Sequence, residues 1–456
     1  MARLSDQMPR GAFAPMTAIA LAALLSACAT APSAPLAPGV DATLRGPDLA
    51  AVTRDAANFK HPVLKPVSID LTRPLTPEAL GLIAVIANPD LKAARAKAKV
   101  AGAQAFDAGL LPDPVITLGF DKLLSGPDML NGLTAQIAQD LIALRDRAVV
   151  RARNRASARQ VRLDLAWQEW QTAGQARLLA GRIDALTRIT ALNDATRGAS
   201  DAMLQRVLTA AARGDVKAEE VETRRIAAID AADKATSARR GLDTARHALN
   251  ALLGLAPQTT LAIASTLPEA PALDADALFL RARDQRLDLQ ALQAGYASQD
   301  ASVRKAVMDR FNSLQLTVSR TRDTAGNQTL GGQVAFGLPA WNANRGGVAV
   351  ALATRDQLRA EYAARVFATR ADIAELVSQL TLESTERDRV SGQLAALQPL
   401  ADATDAAVAR GDVSLAAGAA ARQSVTDKAL LLATLDQAMG EQRAALLIAV
   451  GGPLKD

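Results

Sequence analysis

The chain has very few of the residues on which most catalytic and redox sites depend. Among its 456 residues there is one cysteine and there are two histidines, and aromatic residues make up only 3%. Because a disulfide needs two cysteines, the chain must gain its stability from burial or assembly. The two histidines, His61 and His247, lie far apart, and neither an HExxH nor a GxxxxGK[ST] motif occurs. We therefore predict that the protein is not an enzyme and has no catalytic residues, no metal site and no cofactor.

The charges give little support for a nucleic-acid partner. The net charge is +5 and the pI is about 9.5, but basic and acidic residues are interleaved along stretches such as 217–246. Mixed charge of this kind is typical of a solvated helix face, the alternative being a patch that binds nucleic acid. We predict the solvated face and no nucleic-acid partner.

The single cysteine follows a segment with the layout of an export signal. Residues 1–10 carry two arginines, and the apolar run 11–25 is too short to span a bilayer as a helix. The sequence LSAC that ends at Cys28 resembles the bacterial lipobox. This resemblance implies a signal peptide at 1–27 and a lipid on Cys28, and Ala29 in place of Asp favours the outer membrane. The alternative is a simple signal peptide that happens to contain a cysteine.

The rest of the chain contains one module twice. Leu91 in NPDLKAARAKAKVAGAQ corresponds to Leu289 in RLDLQALQAGYASQDAS, an offset of 198 residues. The segment AARGDV at 211–216 corresponds to VARGDV at 408–413 with an offset of 197, and the segments ALLG and IAVG that follow repeat with that same offset. Three matches in nearly one register predict two tandem repeats.

The repeats set the predicted domain organisation. We predict a lipidated N-terminal tether at 28–76, repeat 1 at 77–257, a linker at 258–272 and repeat 2 at 273–456. Each repeat should contain a helix, a β-hairpin, a long helix, a turn and a second helix. The predicted first helices are 77–110 and 274–310, the hairpins are 114–140 and 312–338, and the turns are 213–216 and 410–413.

Each predicted hairpin has one apolar face. In PVITLGF (114–120) and GQVAFGL (332–338), large apolar residues alternate with small or polar ones, as in a half-buried strand. In a soluble sandwich the apolar face would meet another sheet, whereas in an outer-membrane barrel it would meet lipid. Four strands cannot close a barrel, which needs about eight. If these are membrane strands, several chains must share one barrel.

The predicted helices have lengths that fit together. Residues 143–212 would form a helix of about 105 Å, and the segments 216–253 and 274–310 together have nearly the same length. One long helix can therefore lie beside two shorter helices stacked end to end. The 3, 4, 3 spacing of apolar residues from Leu242 to Leu252 favours coiled-coil packing, the alternative being an ordinary helical bundle.

In this order, the features resemble the TolC-like outer-membrane efflux family. PAWNANRG at 339–346 is similar to a Pro-Leu-Phe-Asn-Arg-Asn-Arg-Gly type of segment found there, including the heavy-metal subgroup. The resemblance implies a mainly α fold with a small β part. In it, a homotrimer shares a long α-helical coiled-coil barrel and a transmembrane β-barrel with four strands per chain. It also implies a lipid-anchored outer-membrane duct that extends into the periplasm and passively exports what an inner-membrane pump and a periplasmic adaptor deliver.

The resemblance also implies sites. The adaptor-docking tips would be Arg213, Gly214, Asp215, Val216, Arg410, Gly411, Asp412 and Val413. Family members often carry acidic rings near the closed periplasmic end, and the candidates here are Glu219, Glu220 and Glu222. The alternative for the tips is that Arg-Gly-Asp is only a helix stop. The alternative function is a lipid-anchored periplasmic coiled-coil scaffold or adaptor, although such a protein would have no use for four amphipathic strands.

Overall fold

The computed structural model describes residues 46–127, 130–264 and 273–454, which form a mainly helical molecule with one small sheet. The helices are α1 (Leu49–Ala57), α2 (Pro77–Ala87), α3 (Pro89–Asp107), α4 (Leu141–Ala212), α5 (Ala218–Leu252), α6 (Ala275–Gln285), α7 (Leu287–Met308), α8 (Arg345–Arg410) and α9 (Leu415–Val450). The strands are β1 (Val115–Asp121), β2 (Gly132–Asp140), β3 (Leu314–Arg322) and β4 (Gln328–Phe336). The predicted fold class is confirmed. The predicted signal peptide, Cys28 and residues 265–272 of the predicted linker lie outside the described residues.

The two repeats have the same order of elements. Each contains two short helices, a hairpin, a helix of 72 or 66 residues, and a final helix of 35 or 36 residues. At 1.5 Å per residue the longest helix, α4, extends about 108 Å. Within the described residues, no helix combines the length and the apolar character needed to cross a membrane.

Helix α4 packs on α5 and α7 in succession along its length, and it also packs on α2, α3 and α9. Near the end remote from the sheet it packs on α5, where Arg239 and Asp194 form an ion pair of 2.8 Å. Near the sheet it packs on α7, where Ser298 Oγ donates to the carbonyl oxygen of Arg153 at 3.0 Å. The largest apolar cluster lies between these ends, where α2 and α5 meet α4. It includes Leu242 and Leu249, two of the residues whose spacing predicted coiled-coil packing.

The first predicted helix of each repeat is wrong in one respect, because each is broken in two. In repeat 1 the break is Asn88, whose backbone leaves the helical region with ψ 127° and whose side-chain Oδ1 accepts from the Leu91 amide at 2.9 Å. Pro89 follows it, and a residue before proline disfavours helical geometry. In repeat 2 the break is Arg286, with ψ 123°, and no proline follows.

The two breaks make equivalent contacts with different side chains. Asn88 Nδ2 donates to the carbonyl oxygen of Leu252 at 2.9 Å, and Arg286 Nη1 donates to that of Ala449 at 2.7 Å. The donors are 198 residues apart in sequence and the acceptors 197, so the repeat offset holds at this contact. Each break therefore ties the first helices of a repeat to the last turn of that same repeat.

The described part of the predicted tether is ordered and packs on the helices. Helix α1 begins after Asp48, whose side chain accepts from the Ala50 amide at 3.0 Å, and its residues Val52 and Ala56 are buried. Downstream, His61 Nδ1 accepts from two backbone amides, so its Nε2 carries the proton and donates to the Ala166 carbonyl oxygen at 3.0 Å. This bond attaches the segment to the middle of α4.

The junctions between sheet and long helices differ in the two repeats. In repeat 1, Asp140 ends β2 and its side chain caps α4, accepting from the Ile142 amide at 2.8 Å. In repeat 2, residues 337–344 separate β4 from α8, and Ala343 and Asn344 have left-handed φ angles of 45° and 51°. Strand and helix are thus continuous in repeat 1 and joined by a loop in repeat 2.

Candidate functional site

The four strands form one antiparallel sheet in the order β1-β2-β3-β4. Its register places Ile116 opposite Ile137, and Ile137 opposite Val318, so the hairpins of the two repeats share one face. Side chains alternate between the faces of a sheet, which allows the remaining positions to be assigned. The large apolar residues on this face are Ile116, Leu118, Phe120, Leu133, Ile137, Leu314, Leu316, Val318, Leu330, Val334 and Phe336.

The opposite face is small or polar apart from Val115. Its members are Thr117, Gly119, Asp121, Gly132, Thr134, Gln136, Ala138, Asp140, Gln315, Thr317, Ser319, Thr321, Thr329, Gly331, Gln333 and Ala335. Within one chain the apolar face is uncovered, since the side chains of Leu118 and Leu330 are 75% and 80% exposed. An uncovered apolar face of this size needs either another apolar surface or lipid against it.

Both edges of the sheet are open. The outer strands β1 and β4 each pair on one side only, and all nine residues of β4 are exposed. Unpaired strand edges of this length carry rows of free amide and carbonyl groups that favour pairing with another chain. The site is therefore incomplete in a single chain.

An ion-pair cluster fixes the base of the sheet to the helices. Asp146 of α4 is 2% exposed and lies 2.7 Å from Arg145 Nε and 3.1 Å from Lys305 Nζ of α7. Burial alone would raise the pKa of Asp146, but hydrogen bonds from these two cations outweigh it and hold that pKa below its usual value. Lys305 also contacts Asp309. The carboxylate therefore stays charged. It joins the start of α4, which follows the first hairpin, to the end of α7, which precedes the second hairpin.

The two predicted tips are helix-ending turns of the same type, at the end of the long helices remote from the sheet. Gly214 and Gly411 have φ angles of 83° and 84°, in the left-handed region that favours glycine. After each glycine, an aspartate amide bonds to a carbonyl oxygen five residues earlier, Asp215 to Ala210 and Asp412 to Ala407, both at 3.0 Å. This is the Schellman motif.

The side chains of the tips point mostly to solvent. Arg213, Asp215, Arg410, Asp412 and Val413 are exposed, whereas Val216 is partly buried. Arg410 Nε lies 2.9 Å from Asp412 Oδ2 within the second turn. No hydrogen bond or ion pair joins one turn to the other among the residues that the structure describes.

The three acidic candidates lie in the first turns of α5, directly after the first tip. Glu220 pairs with Arg224 at 2.7 Å, and Glu222 lies 3.6 Å from Arg225. Glu219 is exposed and forms no ion pair within the described ranges. Local arginines thus compensate two of the three charges, and Glu219 contributes most of the uncompensated negative charge.

The sequence itself matches no protein-family model and no curated protein. Solved structures do match. The outer membrane channel CmeC of Campylobacter jejuni superposes with a TM-score of 0.70 at 13% identity, covering 82% of this chain and 85% of CmeC. The chain has the TolC-type channel fold.

Two further channels share this TolC-type fold. VceC, an outer membrane protein of Vibrio cholerae, has a TM-score of 0.67 at 16% identity and covers 83% of this chain and 97% of its own. CusC, whose structures concern folding and transmembrane channel formation, has a TM-score of 0.68 at 16% identity, and the superposition covers 87% of this chain and 98% of CusC. The resemblance inferred from the repeats is therefore confirmed for the fold. The assignment to a heavy-metal subgroup stays a prediction.

Sequence reasoning missed two arginines on the apolar face. Arg320 and Arg322 continue the period of Leu316 and Val318 in β3, so they lie on the same face as those residues. The signal was present in LQLTVSRTR, where the alternation continues to the end of the strand.

Proposed function

We propose that the protein is the outer-membrane channel component of a tripartite efflux system. The observation that carries this proposal is the sheet with one apolar face, one polar face and two open edges, attached to helices about 108 Å long. A duct of this kind conducts passively, and the proposal includes no catalytic step. The TolC-type fold supports it, since CmeC, which has the same fold, is an outer membrane channel.

The open edges support a homotrimer. Three chains with four strands each would supply twelve strands, enough to close a barrel, whereas four strands are too few. In such a barrel β4 of one chain pairs with β1 of the next, the apolar face meets lipid and the polar face lines the duct. The lipid-anchored scaffold remains the alternative, but in a soluble scaffold the apolar face of the sheet would be exposed to water.

The helix turns support docking to a periplasmic adaptor that connects the duct to an inner-membrane pump. They are exposed, lie at the end remote from the sheet, and have one backbone geometry in both repeats. The proposed contacts are Arg213–Val216 and Arg410–Val413, with Glu219, Glu220 and Glu222 as candidates for a cation-selective ring beside the first turn.

Disulfide trapping between edge strands tests the shared barrel. Cysteine is placed at Thr117 of β1 together with one polar-face position of β4, taken in turn from residues 329, 331, 333 and 335. We expect one of these pairs to give a covalent trimer in cells, because only neighbouring chains bring β4 beside β1. The matched control pairs Thr117→Cys with Ser319→Cys on the inner strand β3, which never lies beside β1 of another chain. If none of the β4 positions crosslinks, or if the control crosslinks equally well, the shared barrel is wrong.

Removal of the lipid site separates the duct from the scaffold. In a Cys28→Ala variant we expect the protein to stay in the outer membrane after urea extraction, because the strands and not the acyl chains would hold it there. We propose the lipid only as an auxiliary anchor for sorting and assembly. Release of this variant as a soluble monomer would favour the scaffold.

A further inference from the structure

The apolar face of the sheet carries two arginines near its turn end. Arg320 and Arg322 follow Val318 with the period of two that keeps side chains on one face. Leu330 lies opposite Arg320, and Leu133 lies opposite Arg322. Two arginines whose Cα atoms are about 7 Å apart therefore interrupt a surface that is apolar except for Gln139 and Gln328.

These arginines line a cavity of about 500 Å³ on the sheet. Its lining includes the large apolar side chains of Leu118, Phe120 and Leu133, the polar side chains of Arg320, Arg322 and Gln328, and two threonines, Thr134 and Thr321. The cavity is thus amphipathic, with hydrocarbon on one side and two cations on the other. An acyl chain with an anionic headgroup has the same division.

Neither guanidinium is neutralised by a carboxylate in the described part of the chain. Arg320 Nη2 donates to Gln328 Oε1 at 2.9 Å, and Arg322 Nε is buried without a hydrogen-bond partner. The nearest acidic residue in sequence, Asp323, accepts from the amide and side chain of Asn327 at 2.8 and 2.9 Å. The arginine pair is therefore available to an anion from outside the chain.

The position along the strand agrees with a membrane surface. Phe336, at the helix end of the sheet, lies eight residues from the level of Arg322, about 27 Å along the strand. With the strand tilt of a barrel this is a rise of about 20 Å, close to the height of the apolar band of outer-membrane barrels. Arginine side chains at such a level extend to the headgroups. An arginine at the membrane centre would be costly, but one at the interface is tolerated.

We propose that this cavity binds a phosphorylated lipid of the outer leaflet, of the lipopolysaccharide class, through Arg320 and Arg322 on phosphate and the apolar wall on an acyl chain. A guanidinium group can donate two parallel hydrogen bonds to a pair of phosphate oxygens. Hydrogen bonds between charged groups are stronger than those between neutral groups. The inference rests on the proposed function, because it requires the sheet to be in the membrane with its hairpin turns facing the outside of the cell.

The test measures binding of fluorescent lipopolysaccharide to the purified full-length protein in nonionic detergent. The variants are Arg320→Ala/Arg322→Ala, the charge-keeping Arg320→Lys/Arg322→Lys, and Arg225→Ala/Arg246→Ala, which removes the same charge from exposed sites on α5. Inorganic phosphate and phosphatidylcholine micelles are the competitors. Urea extraction and trimer content are measured for every variant.

We expect the alanine pair on β3 to weaken binding about 100-fold, at about tenfold for each charged hydrogen-bonding group. The lysine pair keeps the charge but loses the paired hydrogen bonds, so its affinity should lie between those of the wild type and the alanine pair. The α5 pair should keep the full affinity, and neither competitor should displace the lipid at matched concentration. Unchanged binding by Arg320→Ala/Arg322→Ala would overturn the inference, and so would displacement by phosphate alone, which would show a simple anion site. If the wild-type protein is not held in the membrane, the proposed function fails first. If it is held there as a trimer without binding the lipid, only this inference fails.

Discussion

The helix turns offer the sharpest perturbation of the proposed docking. Valine at Gly214 and Gly411 must adopt a left-handed φ near 84°, which costs about 1–2 kcal/mol for a residue with a Cβ and more for a β-branched one. A Cβ at either glycine would meet no atom within 4 Å, so this cost is conformational and not steric. We expect each turn to open and lose the Schellman bonds, such as the one from the Asp215 amide to the Ala210 carbonyl oxygen.

The sheet should not sense this change, because the turns lie about 100 Å away along α4 and α8. Cells that depend on this protein for tolerance to a toxic compound should become sensitive when they carry Gly214→Val/Gly411→Val, while the amount of urea-resistant trimer stays constant. The matched control is Gly214→Asn/Gly411→Asn, since asparagine adopts left-handed geometry with little cost. Normal tolerance in the valine strain would refute the turns as docking elements. Equal sensitivity in the asparagine strain would refute the argument from backbone geometry.

Three further changes test the packing of the helical body, each by thermal or denaturant unfolding of the purified protein. Gly174→Val should cost about 1–3 kcal/mol, because a Cβ there would clash with the side chain of Ile448, and Ile448→Ala in the same chain should recover part of the loss. Arg286→Ala should cost about 3 kcal/mol, because the buried carboxylate of Asp288 loses both hydrogen bonds from Arg286 and keeps only the longer contact with Arg365 at 3.4 Å, and a cost below 1 kcal/mol would contradict that role. Burial lowers the pKa of His61, so the folded state resists its protonation; stability should fall as the pH drops below 6.5, and His61→Gln should remove part of that fall.

The parts of the fold that could be predicted are those encoded in local patterns. Alternation over seven to nine residues marked each strand, and Arg-Gly-Asp marked each turn because glycine accepts the left-handed backbone at the lowest cost of any residue. The break at Asn88 was also encoded, through Pro89, although the long helical pattern around it concealed the signal.

Other features depend on contacts between residues distant in sequence. The break at Arg286 has no proline; it is held by the bond to the Ala449 carbonyl oxygen and by stacking on Trp167, with 4.6 Å from the guanidinium carbon to the ring centroid. The pairing of β2 with β3 joins hairpins of different repeats, and no local pattern specifies the register that places Ile137 opposite Val318. That register decides which side chains of the two hairpins share a face, so the position of Arg322 opposite Leu133 could be recognised only from the sheet.

The unequal junctions between sheet and helices have a mechanical consequence. In repeat 1, Asp140 is both the last residue of β2 and the N-cap of α4. A rotation of α4 would therefore be transmitted directly to the strand. In repeat 2, residues 337–344 form a joint that can absorb rotation of α8 before it reaches β4. A motion that separates the helices at the end remote from the sheet should therefore move α8 of repeat 2 relative to its strand. In repeat 1, α4 and β2 should move together.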